Sequence, residues 1–142
     1  MERTVLNPNT EGTNHSSLVL VVDDSKEIRD LVAYFMKILG CTSVVAANGL
    51  EAIKLLEDGV KPDLILLDLM MPVMDGWQTD HELATHPNLA NIPTVIVSAF
   101  PERAKELERP HEVIRKPMTL NSLKEIVFKY CSCAKPKRGS LH

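Results

Sequence analysis

Five polar side chains in this 142-residue sequence stand where short apolar runs stop. Asp23 and Asp24 follow the run 18–22, Asp68 ends 64–67, Ser98 ends 95–97, and Lys116 ends the brief segment 112–115. Carboxylates crowded together repel, and each resists ionising beside the others. A hard divalent cation removes that conflict. A small all-oxygen ligand set completed by water suits Mg²⁺ better than a closed calcium cage. Such an ion leaves coordination positions for a phosphate oxygen, while Lys116 adds a mobile point charge and Ser98 a hydroxyl donor. Together these groups suit the equatorial oxygens of a phosphoryl group in transfer. Asp68 is then left as a carboxylate nucleophile, as in aspartyl-phosphate formation.

For these residues to meet, the elements carrying them must share one edge. The run 18–22 is solidly apolar, and Ser25 can cap a following helix whose Ile28, Leu31, Val32, Phe35 and Leu39 fall on one stripe, closed by Gly40. A weaker extended piece, 42–47, precedes Asn48-Gly49 and a helix with Ala52, Leu55 and Leu56 on one side, stopping at Gly59. The run 64–67 leads through a loop to a helix from about Trp77 to Thr85. After 95–97 comes a short helix from about Glu102 to Glu108, stopped before Pro110, and after 112–115 a helix capped by Thr119. Its Leu120, Leu123, Ile126, Val127 and Tyr130 are expected on the inner face. Five strand–helix repeats with solid strands imply a parallel sheet buried on both faces, an α/β (βα)5 three-layer sandwich. Ligands of such sheets bind beyond the carboxyl ends of the strands, where all five side chains stand.

Composition sets the outer bounds. With 44% hydrophobic and 25% charged residues, the chain is ordinary globular material for one domain. A net charge of −3 offers no electrostatic case for nucleic acid or an acidic membrane surface. No apolar run suffices to span a bilayer, and the N-terminus lacks a signal peptide's apolar stretch. Three cysteines, an odd and unpatterned number, suit a reducing compartment, so a cytoplasmic setting is expected. Residues 1–16 read as a flexible extension, 17–131 as the folded domain, and 132–142 as a flexible basic tail.

The segment Asp68-Leu69-Met70-Met71-Pro72-Val73-Met74-Asp75-Gly76, together with Asp23-Asp24, Ser98-Ala99 and Lys116-Pro117 in that order, resembles the response-regulator receiver domain of two-component signalling. The resemblance covers about 17–131 and is closest in kind to single-domain chemotaxis regulators. It implies a flavodoxin-like fold with strand order 2-1-3-4-5. It also implies that Asp68 accepts a phosphoryl group from a phosphohistidine on a sensor histidine kinase or histidine phosphotransfer protein. Mg²⁺ ligands would come from Asp23 or Asp24, one of them through water, from Asp68, and from the backbone carbonyl of Met70. Ser98 and Lys116 would touch the phosphoryl group. Such a domain is a signalling module and no enzyme beyond its own phosphorylation and slow dephosphorylation. With too few residues outside the fold for an output domain, it would act through an unknown downstream protein.

Taken singly, the pieces are bland: Asp24-Ser25 is capping chemistry, Ser98 a strand-end hydroxyl, Lys116 a solvated lysine before a turn. Their conjunction at four strand ends is not. His81 and His86 stand five apart, about 140° around a helix, which excludes the zinc-protease pattern. The Cys131-Ser132-Cys133 segment has no zinc spacing, and the methionines beside hard carboxylates do not suggest a soft metal. A dehalogenase-type phosphatase needs an acid two residues after its nucleophile, where Met70 stands. A flavodoxin-type FMN carrier would place donors where Asp23 and Asp24 would repel its phosphate. A receiver reduced to a scaffold would not need the full acceptor set.

Three departures from the family pattern bear on mechanism. Val113 occupies the usual aromatic switch position. The stretch from Ser98 to Lys116 is short, so the fourth helix should be short and the output face beside it reshaped, while the first-helix surface is intact. Phosphorylation would then change a protein-docking surface on a different face or pass the phosphoryl group onward in a relay. Thr79 and Asp80 replace usual apolar residues, so the third helix is expected to pack loosely or be rotated. Met70 and Phe100, two residues beyond Asp68 and Ser98, cannot orient an attacking water, and slow loss of the phosphoryl group is expected.

Overall fold

The computed structural model describes residues 17–131. The segments 1–16 and 132–142, read above as flexible, lie outside the described residues, as does Cys133. In chain order the elements are β1 Leu18–Val22, α1 Lys26–Ile38, β2 Thr42–Ala46, α2 Gly49–Glu57, β3 Leu64–Asp68, α3 Gly76–Thr85, β4 Thr94–Ser98, a 3-10 helix Pro101–Glu106, β5 Glu112–Arg115 and α4 Leu120–Tyr130. The five strands form one parallel sheet in the order β2-β1-β3-β4-β5. This is the flavodoxin-like α/β arrangement implied above, with strand order 2-1-3-4-5.

Central strands are apolar throughout because both faces are covered. Alternate residues divide between two cores. Val19, Val21, Leu64, Leu66, Val95 and Val97 pack with Val32 and Met36 of α1 and Leu123, Ile126 and Val127 of α4. Leu20, Val22, Ile65, Leu67 and Ile96 pack on the other face with Ala52, Ile53 and Leu56 of α2 and Leu83 of α3. The helices start where their capping residues direct. Ser25, Asn48, Asp75 and Thr119 each accept a backbone N–H of the first turn, and Asp75 and Thr119 complete capping boxes with Gln78 and Ser122.

Several expectations need correction. On α1 the buried residues are Val32 and Met36, whereas Leu31 is exposed, because the helix turns the Val32 side of its apolar sector inward. On α2, Ile53 is buried and Leu55 only partly so. The fourth helix is short, as expected, but it is a 3-10 segment that ends at Glu106 with no buried residue. Helix α3 is not loosely packed: Thr79 and Asp80 are both buried, Thr79 donating its hydroxyl to the Asp75 carbonyl and Asp80 meeting Arg109 and His111. A buried polar group is tolerated when partnered, which apolar patterning does not register. Cys41, immediately before β2, takes part in a disulfide, which an odd and unpatterned cysteine count does not announce. Among the described residues, no helix is long and apolar enough to cross a membrane.

Candidate functional site

Register brings the polar residues to one edge. Val22 pairs with Leu67, so Asp23 and Asp68 leave neighbouring strands at the same level. Asp68 lies opposite Val97, and Ser98 opposite Arg115, so Ser98 and Lys116 follow side by side. The Lys116 N–H donates to the Ser98 carbonyl at 2.9 Å and fixes that spacing. Lys116 is joined to Pro117 by a cis peptide bond.

The side chains converge as the sequence reading required. Asp23, Asp24 and Asp68 each offer a carboxylate oxygen, and these oxygens lie within 4.8 Å of one another. Asp23 and Asp68 are buried and Asp24 is exposed. Lys116 Nζ lies 2.7 Å from Asp23 Oδ2 and 3.4 Å from Asp68 Oδ1. Asp24, Asp68, Met70, Ser98, Ala99, Phe100 and Lys116 line one cleft of about 190 Å³. The Ser98 hydroxyl oxygen accepts the Phe100 N–H at 2.9 Å, which leaves its hydrogen free to donate.

Electrostatics follows from this crowding. Burial, and next the charge of Asp23, push the Asp68 carboxyl up to about 6, against the opposing influence of Lys116. Burial pulls the Lys116 ammonium down, but hydrogen bonding and charge from Asp23 and Asp68 prevail and hold it above its ordinary value. The acceptor set is oxygen-only, acidic and under mutual repulsion, which fits a hard divalent cation.

Supporting residues escaped the sequence reading. Arg29 donates to the Asp23 carbonyl at 2.9 Å and the Ser25 N–H to Asp23 Oδ1 at 2.9 Å, so α1 holds the acidic turn in place. Gly49 donates its N–H to the Met74 carbonyl at 3.0 Å, and Gly76 to the Leu69 carbonyl at 2.8 Å. A Cβ on Gly49 would lie 1.8 Å from Thr79 Oγ1, and one on Gly76 would lie 2.5 Å from the Asp68 carbonyl oxygen. Asn-Gly and Asp-Gly at helix starts are readable as turns, but what presses against them is not. Trp77 packs partly buried against the second core with Arg103 over its ring at 4.6 Å.

Residues 19–128 match the response regulator receiver domain. The chain belongs to that family. It is 38% identical over 94 residues to the sensor histidine kinase CheAY of Helicobacter pylori, an alignment covering 64% of this chain and 12% of the kinase. The chain thus spans about an eighth of that relative's length. Among solved structures it is similar to the chemotaxis protein CheY4 of Vibrio cholerae, with TM-score 0.75, 25% identity, and coverage of 82% of this chain and 99% of that one. It is also similar to the response regulator TrrA of Thermotoga maritima, solved in complex with Mg²⁺-BeF, with TM-score 0.70, 27% identity, and coverage of 80% and 98%. The chain is therefore a receiver domain of two-component signalling, a signalling module rather than a conventional enzyme.

Proposed function

We propose that the receiver accepts a phosphoryl group on Asp68 from a phosphohistidine of a sensor histidine kinase or histidine phosphotransfer protein. A carboxylate oxygen of Asp68 attacks phosphorus as the bond from phosphorus to the imidazole nitrogen breaks. The electron pair stays with the departing imidazole and an acyl phosphate forms on Asp68. The Ser98 hydroxyl donates to one phosphoryl oxygen, and Lys116 moves from Asp23 to pair with another. Asp23, Asp24, Asp68 and the Met70 carbonyl would hold Mg²⁺, which when bound neutralises charge on the phosphoryl oxygens. The exposed side chains of Met70 and Phe100 flank the cleft without a group to activate water, so the acyl phosphate is long-lived.

The single observation that carries this reading is the buried Asp68, 3.4 Å from Lys116 and crowded by two further carboxylates. A relay role is favoured by the 3-10 helix that stands where a full fourth helix would shape an output face. Signalling onward would then run through another protein. The cytoplasmic assignment follows from the phosphohistidine donor and not from the cysteines, since Cys41 is disulfide-bonded.

Incubation with a small acyl phosphate and Mg²⁺, followed by intact mass, tests the proposal. One added phosphoryl group is expected, absent in Asp68→Asn and absent without the divalent cation. Phosphorylation that persists in Asp68→Asn would move the acceptor elsewhere.

A further inference from the structure

Asp80 is an acid on the buried face of α3 that the phosphoryl chemistry does not use. Its side chain is 1% exposed. Arg109 donates to Asp80 Oδ1 at 2.5 Å, and His111 Nε2 lies 2.9 Å from the same oxygen. Asp80 Oδ2 has no hydrogen-bond partner among the described residues. Burial would push this carboxyl up, but hydrogen bonds and charge from His111 and Arg109 prevail and hold it below its usual range. On the other side of the ring, His111 Nδ1 lies 3.0 Å from the Thr94 carbonyl oxygen, and the ring is 8% exposed. Arg109 also reaches the Ala90 carbonyl at 2.8 Å.

A carboxylate and a backbone carbonyl can only accept. Both ring nitrogens therefore face acceptors, and a neutral imidazole has one N–H to give. Only the imidazolium satisfies both, and Asp80 supplies the opposite charge that makes a buried cation tolerable. Other charged groups nearby are already engaged: His81 with Glu108 at 3.1 Å on the exposed side, and Glu112 with Lys129 and Tyr130.

We infer that Asp80, Arg109 and His111 form a proton-dependent latch, which ties α3 to the start of β4 and the lead-in to β5 while His111 carries both ring hydrogens, and loosens when one is lost. Arg109 keeps hold of Asp80 in the neutral state, so the change is a loosening and not a detachment. The three tied elements are those whose other ends carry the Asp68–Gly76 loop, Ser98 and Lys116. Four residue steps of β4, from Thr94 to Ser98, separate latch from cleft, a span of about 13 Å. The latch does not depend on the phosphoryl chemistry of Asp68, and either reading can fail alone.

The test is a ¹⁵N spectrum of the histidine rings titrated from about pH 6 to about pH 9. Backbone amide exchange over residues 80–85 is followed in parallel and corrected for base catalysis. The expected result is a His111 ring protonated on both nitrogens at the acid end, losing one proton on the way up. Exchange over 80–85 should rise several-fold at that same pH. Asp80→Asn should leave the ring neutral throughout and abolish the step; should that variant not fold, the unsubstituted protein alone decides. A ring singly protonated at about pH 6, a ring doubly protonated up to about pH 9, or proton loss with unchanged exchange would each overturn the latch.

Discussion

Asp68 bears the conflict on which the site is built. Its carboxyl stands at about 6, well above the ordinary 3.8, through burial first and the charge of Asp23 second. Between those values the folded protein holds a proton that the unfolded chain has released, so stability falls as pH rises through that window. Above it, ionised Asp68 costs the cation-free protein up to about 3 kcal/mol. Asp68→Asn removes that charge while keeping the shape. In urea titrations without divalent cation, the variant should be more stable than the parent near neutral pH by about 1–3 kcal/mol, and the gap should close below about pH 4. Equal stability at neutral pH would show that Lys116 already neutralises the acids. Asp68 thus sits where folding alone would not put a charge, which is what repulsion relieved by a cation leads one to expect.

At the scale of elements, the join between β3 and α3 is the tightest place near the site. The Gly76 N–H closes back onto the Leu69 carbonyl, and its Cα faces backbone atoms of Asp68 and Leu69. Backbone cannot step aside as a flexible side chain can. Gly76→Ala should destabilise the fold by about 1–3 kcal/mol or more and displace the acceptor loop. Thermal unfolding and the rate of phosphorylation by a small donor should both fall. A variant with unchanged stability and rate would mean that the loop has slack.

On the scale of the whole molecule, two faces compete as docking sites. Leu31, Tyr34 and Ile38, at helical spacing on α1, are 40%, 60% and 52% exposed. The opposite flank offers only the 3-10 helix and edge strand β5, with Val113 where an aromatic switch is usual. Paired Tyr34→Ala and Ile38→Ala should slow transfer from a phosphohistidine protein several-fold and leave phosphorylation by a small donor unchanged. Val113→Ala and Arg115→Ala should do neither. If the β5 pair blocks partner binding and the α1 pair does not, the relay reading is wrong.

Much of this was legible in the sequence for a physical reason. Apolar runs of four or five residues bounded by turn signals suit strands covered on both faces, and polar residues that end such strands lie at the sheet's edge. Two helix starts were legible because Ser25 and Thr119 cap through local hydrogen bonds. Whatever depends on residues distant in sequence was not. The inward side of α1, the partners of Asp80, and Arg29 behind Asp23 are all settled by packing between elements. Thr79 and Asp80 look like misfits on α3 until Arg109 and His111, some thirty residues on, arrive beside Asp80. Sequence by itself determined the layers and the roster of groups at the cleft, because periodicity and capping are properties of neighbours along the chain. Tertiary structure alone decided which acids are buried and which cation each one meets, because charge and burial act through space.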